Sequence, residues 1–230
     1  MQAILEISER ERPNSGAASP DGPVGGSRYW ERLREPDVLV RRDLALIQRV
    51  PRSRPVLDVG CGNGNFVRVC RRQGIDAVGV EAFAASARVA ARAGTSVLHA
   101  AGEDLPVGGG TMDVVRLKEV LEHVQAPLAL AAEMRRVLRP GGVFLAYVPT
   151  QWSQLYPFPA NFYDDYTHVR AFSRVGMQRL LEDAGFARVS IDGYTPALRG
   201  WQRPVAAALS RGFPFLWRAV AIAPARGSEG

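Results

Sequence analysis

The chain has few of the features that mark a nucleic-acid surface. Lysine and arginine number 29 against 23 acidic residues, which gives a net charge of +6, but Lys118 is the only lysine. The arginines are scattered, and their densest groups are pairs at 41–42, 71–72 and 135–136. Nucleic-acid binding usually requires a dense basic stripe. We therefore expect mostly solvated arginines, with an anionic partner as the alternative and nucleic acid ranked low.

Cysteine and histidine are also scarce, with two and three residues respectively. Cys61 and Cys70 have neither the spacing of a zinc site nor the number of a disulfide framework. The paired carboxylates Asp164 and Asp165 have no evident third ligand beside them in the sequence. We expect reduced cysteines and no bound metal.

Long hydrophobic runs are missing as well. No apolar run reaches the roughly 18 residues of a transmembrane helix. The first residues, MQAILEISERERPNSG, carry acids and arginines where a signal peptide has an apolar centre. The sequence therefore predicts a cytoplasmic protein with no integral membrane segment. Residues 1–27 are expected to form a flexible tail and residues 28–230 a single domain.

Strand-like and helix-like segments alternate between residues 55 and 149. Five apolar strands separated by helices are typical of βαβ units in a parallel sheet, with helices on both faces. Residues 150–172 form a long aromatic segment, the expected substrate loop. Ser173 and Gly185 bound a further helix, and two antiparallel strands follow. The predicted fold is α/β, with a doubly wound, mostly parallel sheet.

The stretch VLDVGCGNGNF, Val56–Phe66, places three glycines directly after a buried strand and before a helix. Doubly wound folds bind ligands at this edge of the sheet. Glycines at 60, 62 and 64 let the backbone approach a ligand closely, although a tight turn alone is an alternative reading. The spacing is G-x-G-x-G and differs from the dinucleotide pattern G-x-G-x-x-G.

Glu81 falls at the predicted end of the second strand. A carboxylate there can accept two hydrogen bonds from a ribose diol. The alternative is a surface glutamate at a strand end. Its position beside the glycine loop favours a nucleoside-binding role.

These segments resemble the class I S-adenosylmethionine-dependent methyltransferases. The resemblance covers residues 55–150 closely, through VLDVGCGNGNF, GVEA, GEDLP, MDVVRLKEVLEHV and EMRRVLRPGGVFLAYVP. It implies a Rossmann-like sheet of seven strands with a reversed last strand. It also implies that S-adenosyl-L-methionine lies over the first four strands as the cofactor.

The resemblance assigns a cofactor role to thirteen residues. Those implied near the methionine portion are Asp58, Gly60, Cys61, Gly62, Gly64 and, through its backbone, Lys118. Tyr29 is a further candidate, which would close over the methionine carboxylate, and packing of the helix around it is the alternative. Those implied near the ribose and adenine are Glu81, Ala82, Phe83, Gly102, Glu103, Asp104 and Leu105. Ala101 stands where many relatives carry an adenine-binding aspartate, so Glu103 or Asp104 is expected to substitute for it.

Two histidines are candidates for the base that an oxygen nucleophile needs. His123 follows the fourth strand, and His168 lies in the aromatic loop with Asp165 nearby to orient it. The alternatives are that His123 shapes the fold and that the polar residues around His168 only cap backbone groups. His99, within the third strand, is expected to be packed or at the rim.

The predicted function is O-methylation of a small molecule, with a sugar or secondary-metabolite hydroxyl as the first substrate class. The alternatives are a non-catalytic, methyltransferase-like subunit that binds the cofactor, a nucleic-acid methyltransferase and a nicotinamide oxidoreductase. The oligomeric state is left open.

Overall fold

The computed structural model describes residues 37–50, 55–155, 161–195 and 211–225, together with Pro204 and Ala208. The predicted tail and Tyr29 lie outside the described residues. None of the described helices combines the length and the apolar character that crossing a membrane requires.

One sheet gathers seven strands of the described chain. In chain order they are β1 (Val56–Val59), β2 (Ala77–Glu81), β3 (Val97–His99), β4 (Met112–Lys118), β5 (Leu138–Pro149), β6 (Ala187–Tyr194) and β7 (Leu216–Ile222). Their spatial order is β3-β2-β1-β4-β5-β7-β6. The pairs among the first five strands are parallel, whereas β7 runs antiparallel to both neighbours. The predicted seven-stranded, mostly parallel sheet with a reversed last strand is confirmed.

The described helices pack against this sheet to form separate apolar cores. They are α1 (Asp37–Ile47), α2 (Asn65–Arg72), α3 (Ala84–Arg92), α4 (Pro127–Val137) and α5 (Arg174–Asp183). In β1, Val56 packs with the core that contains Ile47 and Phe66, while Leu57 packs with the core that contains Leu130 and Met177. Successive strand side chains point to opposite faces. Both faces of the sheet are therefore covered, as predicted for a doubly wound fold.

Local sequence signals explain where α5 begins and ends and where α4 ends. Ser173 caps α5 as predicted, accepting a hydrogen bond from the Gly176 amide at 3.0 Å, and Gly185 follows the helix with φ of 83°. The helix α4 ends at Val137, and β5 begins at the next residue, two positions before Pro140. Proline disfavours a helical conformation in the preceding residue, so this segment is extended.

A buried ionic network joins α1 to four strands. Arg116 on β4 donates from Nε to Asp43 and from Nη1 to Asp58, both at 2.9 Å. Tyr147 on β5 donates its hydroxyl to Asp43 at 2.5 Å, and Arg218 on β7 donates to the Tyr147 oxygen at 2.9 Å. The structure thus places Asp58, an expected cofactor residue, in an ion pair inside the fold.

The charges of this network compensate one another. Two guanidinium groups face two carboxylates, and all four side chains are at most 6% exposed. The Arg116 guanidinium also lies 4.0 Å from the centre of the Phe66 ring, which is in the first turn of α2. A buried ion pair adds little net stability over an apolar core, but losing one partner leaves an uncompensated charge. The network therefore holds α1 and the start of α2 in fixed positions on the sheet.

Asp43→Ala should lower the free energy of unfolding by about 3–5 kcal/mol, because it leaves buried arginines without their carboxylate. The matched control is Asp192→Ala, whose side chain is 50% exposed beside Arg42 and Arg218 and should cost at most about 1 kcal/mol. Urea denaturation followed by circular dichroism measures both. Equal losses in the two variants would contradict the structural role of the network.

Candidate cofactor and acceptor site

The glycine loop connects β1 to α2 with a backbone that few side chains permit. Gly60, Gly62 and Gly64 have φ of 73°, 54° and 75°, all in the left-handed region. The amides of Gly60 and Cys61 donate to the Val80 carbonyl at 2.8 and 3.0 Å. The loop is therefore tied to β2, the neighbouring strand.

Two of these glycines are also required by packing. A Cβ atom on Gly60 would overlap Val120, and one on Gly64 would lie 2.6 Å from the Thr95 side chain. Packing inside the protein is therefore sufficient to explain glycine at these two positions. A tight turn of this kind can still hold a ligand, so the two interpretations of the loop are compatible.

Glu81 clamps this loop from the end of β2. Its Oε2 accepts the Gly62 amide at 2.8 Å, and its Oε1 accepts the Phe83 amide at 2.9 Å. Burial raises the pKa of Glu81 above its ordinary value, although these amide donors act in the opposite direction. An ionised carboxylate offers about four acceptor positions. The two amides leave acceptor capacity for a further donor, such as a ribose hydroxyl.

Cys61 takes part in packing and stays a neutral thiol. Burial raises its pKa strongly, and the carboxylates of Asp58 and Glu81 raise it further. Its sulfur packs over Gly79 of β2, where an added Cβ would lie 2.5 Å from Sγ. Any contribution of Cys61 to a ligand would come from its backbone.

The expected adenine segment lies mostly at the surface. Leu105 is buried, and its amide donates to Glu133 of α4 at 2.8 Å, a contact that the sequence did not indicate. His99 is exposed at the end of β3, with Nε2 3.0 Å from the Ala82 carbonyl. The others are placed as follows: Ala82, Glu103 and Asp104 are exposed, and Phe83 and Gly102 are half-buried.

A strained residue follows β4. Lys118 is the last residue of that strand, and its Nζ lies 2.5 Å from the Glu119 carboxylate. Glu119 has φ of 53°, which is unusual for a residue with a side chain. Such strain costs about 1–3 kcal/mol and clusters at functional sites. At Glu119 the backbone turns from β4 into the segment that carries His123.

The structure brings His123 and His168 together. Their ring centres are 4.7 Å apart, a contact that no local pattern in the sequence indicates. His168 stacks on the buried ring of Phe162 and places Nδ1 2.6 Å from the carbonyl of the same residue. A carbonyl only accepts hydrogen bonds, so the proton of neutral His168 lies on Nδ1 and leaves Nε2 as an acceptor.

Asp165 orients the other histidine. It accepts hydrogen bonds from the amide and hydroxyl of Thr167 at 2.9 and 2.6 Å, and the Thr167 oxygen lies 2.9 Å from His123 Nδ1. Burial would raise the pKa of Asp165, but the Thr167 hydrogen bonds and the nearby histidines lower it overall. The imidazole of His168, the expected partner of the Asp165 carboxylate, is instead hydrogen-bonded through Nδ1 to the Phe162 carbonyl. Asp164 instead caps the chain by accepting the Asn161 amide at 2.8 Å.

Glu122 completes this cluster and was missed by the sequence analysis. Its side chain is fully buried, and among the described residues neither carboxylate oxygen has a hydrogen-bond partner. Burial and the charge of Glu119 raise its pKa well above the ordinary value. Its backbone carbonyl accepts the Val169 amide at 2.7 Å, so the segment after β4 is joined to the aromatic loop. The sequence signal that could have indicated Glu122 is its position directly before His123.

The sheet order, the reversed β7, the glycine turn after β1 and the carboxylate ending β2 define a Rossmann-like methyltransferase fold of class I. The chain belongs to the methyltransferase-domain family, which it matches over residues 29–191. The predicted family is confirmed, and with it S-adenosyl-L-methionine as the cofactor.

Two relatives illustrate the similarity. A protein of Mycobacterium sp. (strain JLS) named "Uncharacterized methyltransferase" is 39% identical over 121 residues, which cover 51% of this chain and 48% of that protein. A Mycolicibacterium smegmatis protein named "Probable S-adenosylmethionine-dependent methyltransferase" is 32% identical over 171 residues, covering 71% and 65% respectively. The chain thus spans about half to two thirds of the length of these relatives.

Solved structures agree on the fold. A crystal structure of a SAM-dependent methyltransferase from Archaeoglobus fulgidus superposes with a TM-score of 0.67 and covers 85% of this chain and 98% of its own. Its sequence identity is 18%, so the likeness extends to the fold and no further.

Gly64→Ala should destabilise the protein and weaken binding of S-adenosylhomocysteine, because a methyl group added to the glycine loop would lie 2.6 Å from the side chain of Thr95, which precedes β3. Gly74→Ala is the matched control, since Gly74 has a similar φ of 69° but no atom within 4 Å of an added Cβ. In the control, the left-handed backbone alone should lower the free energy of unfolding by about 1 kcal/mol. In Gly64→Ala the steric overlap should lower it by a further ~1–3 kcal/mol. Thermal unfolding and calorimetric titration measure the two effects, and identical behaviour of the variants would refute the packing argument.

Proposed function

We propose that this chain transfers the methyl group of S-adenosyl-L-methionine to a hydroxyl group of a small molecule in the cytoplasm, with a sugar or secondary metabolite as the acceptor class. One observation carries the proposal. Val120 packs against Gly60 so closely that an added Cβ would overlap it, and Val120 is three residues before His123. The segment that carries the polar cluster therefore lies against the first glycine of the loop, as a methyl donor and an acceptor side by side require.

In this proposal the cofactor lies across the ends of β1 and β2. The bare backbone of Gly60, Gly62 and Gly64 receives the methionine portion, and Glu81 accepts hydrogen bonds from the ribose hydroxyls. Further proposed cofactor contacts are Tyr29, Asp58, Cys61, Ala82, Phe83, Gly102, Glu103, Asp104, Leu105 and Lys118. Asp58 contributes indirectly, because its carboxylate is engaged by Arg116 at 2.9 Å.

Methyl transfer is an in-line displacement at the carbon bound to the sulfonium. The acceptor oxygen donates an electron pair to this carbon, the carbon–sulfur bond breaks, and its pair remains on sulfur as a neutral thioether. The acceptor hydroxyl loses its proton. Because the donor is already activated, the protein contributes mainly through positioning, worth up to about 7–11 kcal/mol.

The histidine pair is proposed to activate the acceptor hydroxyl. His123 and His168 both carry a hydrogen-bonded Nδ1, so each leaves Nε2 for the acceptor side. Asp165 holds His123 in place through Thr167. The exposed rings of Tyr163 and Tyr166 offer flat apolar surfaces on the same loop, which suits a sugar or a planar ring.

Glu81→Ala should weaken S-adenosylhomocysteine binding by about 1–3 kcal/mol, because it removes a charged acceptor and frees the Gly62 amide. Glu81→Gln should lose less, since it keeps one acceptor oxygen. Asp183→Ala, which removes an exposed carboxylate on α5, is the control. Isothermal titration gives the affinities, and unchanged binding by Glu81→Ala would overturn the assignment.

His168→Ala should lower turnover by about 10²–10⁴-fold while leaving cofactor affinity within about twofold. Asp164→Asn retains the backbone cap on the same loop and should retain turnover. A panel of sugars and hydroxylated ring compounds, assayed by release of S-adenosylhomocysteine, identifies an acceptor and then compares the variants. Undiminished turnover of His168→Ala with that acceptor would remove this histidine from the reaction.

A further inference from the structure

Three side chains beside the proposed acceptor position have the geometry of a ligand set for a metal ion. One atom each from Glu122, His123 and His168 lies within 4.8 Å of the other two. Glu122 and His123 come from the segment after β4, and His168 comes from the aromatic loop. The Val169 amide that donates to the Glu122 carbonyl at 2.7 Å fixes these two segments together.

The hydrogen bonds around the two imidazoles direct one nitrogen of each toward a ligand. Asp165 accepts the Thr167 hydroxyl proton at 2.6 Å, so the Thr167 oxygen is left to accept from His123 Nδ1 at 2.9 Å. The Phe162 carbonyl accepts from His168 Nδ1 at 2.6 Å. In metal-bound histidines the N–H of the second ring nitrogen typically donates a hydrogen bond in this way, to a carbonyl or to a polar group backed by a carboxylate. In both rings Nε2 keeps its lone pair for a ligand.

Glu122 is the second and independent observation. Its side chain is fully buried, and neither oxygen meets a hydrogen-bond donor among the described residues. Arg170, whose amide approaches the Glu122 carbonyl, donates its guanidinium instead to the Gln125 carbonyl at 3.1 Å. A buried carboxyl group without a partner is costly, and a bound cation would supply the missing partner.

The groups nearby also suit a cation. The carboxylates of Glu119 and Asp165 both act on the buried Glu122 carboxyl group, and Lys118 is paired with Glu119 at 2.5 Å. Glu119, with φ of 53°, directly follows β4 and lies three residues before Glu122.

We propose that Glu122, His123 and His168 bind a divalent transition-metal ion of the zinc type at the acceptor side of the site. Two ligands at about 2.1 Å from one ion lie at most about 4.2 Å apart, so the cluster needs to contract by less than about 1 Å. Two imidazoles and one carboxylate suit zinc, cobalt or iron better than magnesium or calcium, which prefer oxygen ligands. Three protein ligands leave coordination positions open.

The role of the ion rests on the proposed function. With the ion bound, both Nε2 atoms are ligands, so neither histidine takes up the hydroxyl proton. The ion would instead make an acceptor hydroxyl at an open position more acidic, and its proton would pass to water as the methyl group moves from sulfur to oxygen. The ion changes neither its charge nor its ligands in this step. Metal binding itself is independent of that function and is measurable without cofactor or acceptor.

Titration of the untagged, chelator-treated protein with Co²⁺ tests the site. The wild type should bind one equivalent and develop the visible absorption of nitrogen-ligated cobalt, and millimolar Mg²⁺ should not displace it. His168→Ala and Glu122→Gln should weaken Co²⁺ binding by at least about 10-fold. His99→Ala, which removes the remaining histidine, should bind as the wild type does.

Titration with S-adenosylhomocysteine shows which variants are folded. If Glu122→Gln does not fold, His168→Asn on the loop decides the question. No stoichiometric Co²⁺ binding by the wild type, displacement by Mg²⁺, or undiminished binding by His168→Ala or His168→Asn would overturn the metal site. Co²⁺ binding together with a failure to methylate any acceptor would count against the proposed function and leave the metal site standing.

Discussion

The hydrogen bond from the Gly62 amide to the Glu81 carboxylate is the contact on which the proposed site depends. It spans 2.8 Å and joins the turn after β1 to the end of β2. The turn has room for this contact because its glycines accept left-handed backbone angles, and the Gly60 amide holds it to Val80 from the same strand. A cofactor that needs both an open backbone and a sugar-binding carboxylate finds them already adjacent. Such preorganisation reduces the cost of binding.

The buried network around Arg116 supports this contact from within the fold. Arg116 joins Asp58 of β1 to Asp43 of α1, and its guanidinium lies against Phe66 at the start of α2. The strand before the glycine loop and the helix after it are therefore both fixed by one side chain on β4. This arrangement explains a buried aspartate in a strand that is otherwise apolar. It ties the position of the loop to the packing of the sheet.

Local patterns in the sequence were sufficient to predict the fold. Alternating strands and helices, the glycines after β1 and the Ser173 cap act over a few residues, so spacing and residue type reveal them. The contacts that build the acceptor side act over long separations. Thr167 and His123 are 44 residues apart, and Arg116 and Asp43 are 73 apart. No periodicity records such pairs, which is why the partner of Asp165 and the buried Glu122 emerged only from the structure.

A crystal structure of this protein with S-adenosylhomocysteine tests the central claim most directly. The account predicts the ribose hydroxyls within hydrogen-bond distance of Glu81 and the amino-acid end of the ligand along Gly60–Gly64, with the sulfur facing the His123 segment. A nucleoside bound elsewhere, or a ribose that makes no contact with Glu81, would contradict it.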